Sequence, residues 1–351
     1  MFPWVKDSWF RLREIYMGPR PPQALLLHGG DGLGKKEIAL ELGRLFLCED
    51  ASVSGYCGKC HSCNLTLSGN HPDLYSVAVP PRSRIGIDAV REVTAAIVST
   101  PKLGWGKAVI IENAEMMTLE AANALLKALE EPQGRTLFVL TSDHTEMLLP
   151  TIISRCVPFR IPNPEFAAVR SWIYENLSGT NADLTEAVYQ INHCSPVETV
   201  RFFRDGYGEL FGNMTLAVAQ IMREPDRLMQ LLDLITEISV KIQTAEAERT
   251  AAQENDKATK KKTYRLCVGD VADWIVYMLM DVLRFRTTGS LKWNLVIRSP
   301  QMMDFFEHIS VGCLDRGILR LQDMVRRERS MVNTQAYLEL ADFFNMLIRG
   351  E

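Results

Sequence analysis

A short apolar run, a glycine-rich turn closed by lysine, and a helical pattern follow one another between residues 24 and 48. This segment constrains the chain more than any other. Ala24-Leu-Leu-Leu-His-Gly29 suits a buried parallel strand. Lys36–Cys48 places Ile38, Leu42, Leu45 and Phe46 at helical spacing. Between them, Gly29-Gly-Asp-Gly-Leu-Gly-Lys35 has the frame Gly-x4-Gly-Lys. Glycines there let backbone N–H groups converge on phosphate oxygens, and the helix N-terminus adds positive potential. Lys35 would reach the outer phosphates of a nucleotide. The next position should carry a hydroxyl to ligate magnesium, yet it is Lys36, a cation where a metal ligand belongs. Two readings follow: a degenerate nucleotide site for ATP or ADP built on Gly29, Gly34 and Lys35, or a retained turn that only packs strand to helix.

The pattern beyond this segment alternates strands with helices. Ala108–Glu112, Leu137–Thr141 and Val157–Ile161 read as further strands, and Thr118–Glu131 as a helix stopped by Pro132. Alternation of this kind predicts a parallel, doubly wound sheet over residues 1–162. Val109-Ile-Ile-Glu112-Asn113 occupies the place where nucleotide-hydrolysing proteins put apolar residues followed by Asp-Glu. Glu112 can still act as an acidic anchor, but an amide such as Asn113 has no basic pKa and cannot polarise water. With two losses in one site, hydrolysis by this chain is not expected. Thr141 and Ser142 follow the third strand, where a polar sensor of the nucleotide belongs.

After Pro162 the strands stop. Phe166–Leu177, Asp183–Ile191 and Val197–Phe203 read as short helices of a small domain, 163–205. Residues 206–351 carry long helical patterns, with Leu228–Ile242 and Tyr264–Arg286 the clearest, around a polar stretch at 243–262 that ends in three lysines. Such a charge run is read as a solvated extension or insertion, with DNA contact as the alternative. The chain has 351 residues with 39 basic against 43 acidic side chains, a net charge of -4. That balance argues against a protein that coats nucleic acid by itself. No apolar stretch is long enough for a membrane span, and the start lacks a signal-peptide pattern, so a cytoplasmic protein is expected.

Four of the eight cysteines fall within residues 48–63. Cys48, Cys57, Cys60 and Cys63 have the spacing C-x8-C-x2-C-x2-C, and Gly55 and Gly58 permit tight turns between them. Four thiolates complete a tetrahedral zinc shell with no open position, so the expected site is structural. His61 is a spare ligand that the four thiolates make unnecessary. The alternative is a redox pair, Cys57/Cys60 or Cys60/Cys63. Cys156, Cys194, Cys267 and Cys313 are expected to be buried small apolar residues.

Together these stretches resemble the delta-prime subunits of bacterial DNA polymerase III clamp loaders, which are AAA+ proteins. The resemblance rests on Leu27-His-Gly-Gly-Asp-Gly-Leu-Gly-Lys35 and on the cysteine module inserted after the first helix. It also rests on Ala121-Ala-Asn-Ala-Leu-Leu-Lys-Ala-Leu-Glu-Glu-Pro132 and on Leu149-Pro-Thr-Ile-Ile-Ser-Arg-Cys156. It is dense from about residue 20 to 162 and thins beyond. It implies an AAA+ domain with an inserted zinc module, a helical lid and an all-helical collar. It further implies a non-hydrolysing subunit of the replicative clamp loader that acts beside gamma/tau-type motor subunits and a delta subunit, near the nucleoid. The sliding clamp and primer–template DNA would be met through the assembly. Arg155 matches the arginine that such subunits project into a neighbour's ATP site, where a guanidinium offsets charge on the transferring phosphoryl group. A surface salt bridge is the alternative for Arg155. Val197 stands where motor subunits carry a nucleotide-sensing arginine. An active AAA+ ATPase, either a motor subunit or a helicase loader, is the competing function.

Overall fold

The computed structural model describes residues 1–78, 83–103, 105–177, 182–208, 211–212, 268–289 and 310–329, with single positions at 339, 342, 343 and 346. The chain divides into two compact units, Met1–Val169 and Arg170–Glu351.

The first unit is built on five parallel strands: β1 (Ala24–His28), β2 (Leu74–Val77), β3 (Lys107–Ile111), β4 (Thr136–Ser142) and β5 (Val157–Arg160). Their order across the sheet is β2-β3-β4-β1-β5, with every neighbouring pair parallel. β1, β3 and β4 are buried on both faces, which explains their unbroken apolar character. Successive residues of one strand feed opposite faces. Leu25, Leu27, Ala108, Ile110, Leu137 and Val139 pack with α1 (Lys6–Tyr16) and α2 (Lys35–Leu47) through Leu12, Ile38 and Leu42. Leu26, Val109, Ile111, Phe138 and Leu140 pack on the other face with α4 (Ile87–Val98), α5 (Leu119–Glu130) and α6 (Pro150–Ile153). β1 joins the half of the sheet wound through β2 and β3 to the edge strand β5, so the crevice beyond the carboxyl ends of β1 and β4 is the place where such sheets bind ligands.

The four expected strands and the helices α2 and α5 are present, within a residue or so of their expected ends. β2 was not foreseen. It is four residues long, lies at the sheet edge and is only partly buried, so it lacks a readable apolar run. α1, α4 and the short α3 (His61–Leu67) are likewise additions. At the other edge, β5 carries Pro158, which has no N–H to offer a further strand.

The second unit begins with α7 (Phe166–Asn176), which crosses the boundary, and continues with α8 (Ala182–Ile191) and α9 (Pro196–Arg204). These match the three short helices expected there. Ser195 caps α9 by accepting from the Glu198 N–H, and Pro196 occupies its first turn. Farther on, α10 (Val268–Thr288) packs against α11 (Val311–Arg329). The rings of Phe202, Phe211 and Trp274 meet edge to face. The expected helix at Leu228–Ile242, the polar stretch at 243–262, the start of the pattern at Tyr264 and Cys267 lie outside the described residues. Among the other scattered cysteines, Cys156 and Cys313 are buried as expected. Cys194 is not. It is half-buried, has a positive φ of 60° and lies beside Gln190, with 3.3 Å between Sγ and Oε1.

Candidate phosphate-loop site and four-cysteine cluster

The carboxyl ends of β1, β3 and β4 bring three segments together: Gly29–Lys36, Glu112–Glu115 and Thr141–Asp143. Gly29 is required where the turn leaves β1, because a Cβ there would stand 2.6 Å from the Ile161 carbonyl oxygen. Gly34 takes a left-handed φ of 92° to open α2. Asp31 Oδ1 accepts from the Gly32 N–H at 2.7 Å. The indole of Trp4 donates to the Leu33 carbonyl at 3.1 Å and holds the loop from the N-terminal side.

Lys35 is 6% exposed and its ammonium is fully engaged. It donates to the carbonyls of Gly29, at 2.9 Å, and Gly30, and pairs with Asp143 Oδ1 at 2.5 Å. An ammonium has three N–H donors, so none is left over. The other oxygen of Asp143 accepts from Asn113 Nδ2 at 2.9 Å, and the Asp143 N–H donates to Glu115 Oε1 at 3.0 Å. Burial outweighs the Lys35 cation and pushes the Asp143 carboxyl above its ordinary range. Burial also lowers the pKa of His28, with the cations of Arg160 and Lys35 adding to the effect.

Lys36 reaches the other acidic group of the site. Its exposed ammonium lies 3.0 Å from Glu112 Oε1. Asn113 adopts a left-handed conformation, and its N–H donates to Thr141 Oγ1 at 3.0 Å. The predicted residues Gly29, Gly34, Lys35, Glu112 and Thr141 therefore do converge. Sequence reasoning missed Asp143 and Glu115. Both follow apolar strands by a residue or more, and nothing in their spacing to the loop marks them.

Arg155 lies on the turn between α6 and β5, away from this network of contacts. Its Nε donates to Glu130 Oε1 at 2.7 Å, its Nη2 contacts the same oxygen, and Nη1 donates to the Thr151 carbonyl at 2.9 Å. Arg155 is half-buried and Glu130 is exposed. Within the chain, then, Arg155 makes the surface salt bridge that was its alternative reading.

The four cysteines come together between α2 and α3. The sulfurs of Cys48, Cys57, Cys60 and Cys63 all lie within 4.8 Å of one another and could hold a metal ion. Cys57 and Cys63 sulfurs are 3.9 Å apart, against about 3.8 Å for a tetrahedron with metal–sulfur bonds of about 2.3 Å. Backbone N–H groups of Cys57, Cys60 and Cys63 point at the sulfurs of Cys48, Cys57 and Cys60 respectively, at 3.2–3.3 Å. N–H groups of Lys59 and Cys60 bring the Cys57 thiol down to about 7, while burial pushes Cys48 and Cys63 up. A bound dication would offset that burial cost. The residues fit a closed four-thiolate site, and exposed His61 is not in the cluster. Behind it, Asp73 N donates to His71 Nδ1, Nε2 of the same ring faces Ser62 Oγ at 2.9 Å, and Ser62 Oγ donates to the Leu47 carbonyl.

A family described as "DNA polymerase III, delta subunit" matches residues 6–165. A DNA polymerase III subunit delta' from Pseudomonas aeruginosa is 36% identical over 64% of this chain and 68% of its own length. The subunit delta' of Escherichia coli is 35% identical over 58% of this chain and 61% of its own. A solved DNA polymerase III gamma subunit-related protein from Thermotoga maritima aligns over 98% of each chain at 21% identity, with a TM-score of 0.40, too low to bear on the assignment. The sequence relatives carry the conclusion: the chain belongs to the DNA polymerase III delta-prime family.

Proposed function

We propose that this chain is a non-hydrolysing AAA+ subunit of a clamp loader, and that it lends Arg155 to the ATP site of a neighbouring gamma/tau-type motor subunit. The engagement of Lys35 carries the first half of this reading. With its three donors held by Gly29, Gly30 and Asp143, Lys35 has no N–H left to offer a phosphate. Arg155 supports the second half, because the one charge its guanidinium meets among the described residues is an exposed carboxylate, its other partners being the Thr151 carbonyl and the Ser154 hydroxyl. An exposed ion pair of that kind is exchanged at a cost of about 1 kcal/mol or less, so a phosphate at an interface would outcompete Glu130.

Residues 163–205 serve as the lid and 206–351 as the collar through which the chain joins motor subunits and a delta subunit. The sliding clamp and primer–template DNA are met through the assembly, in the cytoplasm at the nucleoid. Among the described residues no helix is long and apolar enough to cross a membrane. Zinc is the metal of the four-cysteine site, where it ties α2 to α3 and, with no open position, performs no chemistry.

Reconstitution with motor and delta subunits tests the reading. Arg155→Ala should leave assembly intact and lower DNA-stimulated ATPase by at least tenfold, given that an arginine supplied in trans is worth ~10³–10⁵ in rate in other systems. An assembled complex with unchanged ATPase would overturn it.

A further inference from the structure

Each partner that a magnesium-nucleotide would bring to this site already has a counterpart of like charge within the chain. A phosphate presents anionic oxygens to the loop lysine and to loop N–H groups. Here the lysine holds the Asp143 carboxylate at 2.5 Å, and the Gly32 N–H holds the Asp31 carboxylate at 2.7 Å. Magnesium presents a cation to the acidic residue after β3. Here Glu112 holds the Lys36 ammonium at 3.0 Å.

We propose that the site is filled from within: Asp143 stands in for a phosphate on Lys35, Lys36 stands in for magnesium on Glu112, and Asp143 is the residue that excludes nucleotide. This rests on the reading of the loop as a nucleotide site that does not turn over, and it adds the cause.

Three observations make Asp143 the decisive group. It is only 12% exposed, so solvent does not screen its contact with Lys35 as it screens the exposed Lys36. Its second oxygen is anchored by Asn113, which fixes the carboxylate rather than letting it swing aside. Glu115, which accepts from the Asp143 N–H, keeps its Oε2 buried with no hydrogen-bond partner among the described residues. An incoming phosphate would therefore meet a wall of carboxylates and would have to displace Asp143 before gaining Lys35. Lys36 acts more weakly. Its side chain is long and exposed, and its loss removes a competitor for Glu112 without freeing Lys35.

Magnesium-ADP binding by the isolated chain, followed by titration calorimetry, tests this. The wild-type chain should not saturate at concentrations near 1 mM, which corresponds to binding weaker than about 4 kcal/mol. Asp143→Asn keeps the shape and removes the charge, and should tighten binding by at least about tenfold. Adding Lys36→Thr should tighten it further, and only in the presence of magnesium. Micromolar binding by the wild-type chain overturns the proposal, and so does a folded D143N chain that binds no better. If D143N fails to fold, Lys36→Thr alone decides, since Asp143 still fills Lys35. That variant must remain unable to bind, and binding by it overturns the assignment to Asp143. These readouts use the chain alone. Failure of the arginine reading would appear instead in the ATPase of the reconstituted complex.

Discussion

Lys35 and Asp143 are 108 positions apart in sequence and meet at 2.5 Å, with 6% and 12% of their side chains exposed. Removing one partner of such a pair leaves the other charged and desolvated. Lys35→Ala should therefore destabilise the first unit by roughly 3 kcal/mol, and adding Asp143→Ala should recover part of that loss. The sign with pH follows from the raised pKa of Asp143. Its protonated form is favoured in the folded state, so the K35A deficit is largest near neutral pH and shrinks as pH falls toward the carboxyl's pKa. Urea unfolding at neutral pH and near pH 5 checks this.

Arg155 and Glu130 should behave in the opposite way. Their contact lies at the surface, so Arg155→Ala and Glu130→Gln should each change stability by less than about 1 kcal/mol. Thermal unfolding of the two variants checks this. A large loss in either would mean that the pair holds α6 to α5 and that its role is structural.

Metal analysis of the purified chain should find about one zinc, released by a strong chelator with loss of thermal stability. Cys63→Ser should cost more stability than Cys57→Ser, since Cys63 is buried at the start of α3 and Cys57 lies on the more open side. Neither substitution should affect the ATPase of a complex that still assembles. Unchanged melting after chelation would count against a structural metal.

His71 predicts a pH dependence. Burial lowers its pKa from 6.5, and the bond from the Asp73 N–H fixes Nδ1 as an acceptor, so the folded ring is neutral. A depressed histidine makes the unfolded state the better proton binder below that value, so stability falls as pH drops from about 6.5 toward the folded pKa. His71→Gln should flatten this decline below about pH 6.5, at the expense of lower stability at neutral pH. A decline of the same slope in the variant would assign it elsewhere.

Local spacing alone determined the strand–loop–helix frame at 24–48, the amphipathic faces of α2 and α5, and the cluster of Cys48, Cys57, Cys60 and Cys63. Each is a pattern within a few turns of chain, where backbone geometry relates neighbours directly. β2 escaped because four partly exposed residues at a sheet edge carry no distinctive pattern. The absence of a hydroxyl at Lys36 and of a base at Asn113 was legible, and so was the expectation that the site does not hydrolyse. What occupies it was not. The pairs Lys35–Asp143 and Lys36–Glu112 exist only because the order β3-β4-β1 sets three carboxyl ends side by side, joining residues separated by long stretches of chain. Strand order is a property of global packing, and from it follow the burial and the charge pairing that engage all three donors of Lys35.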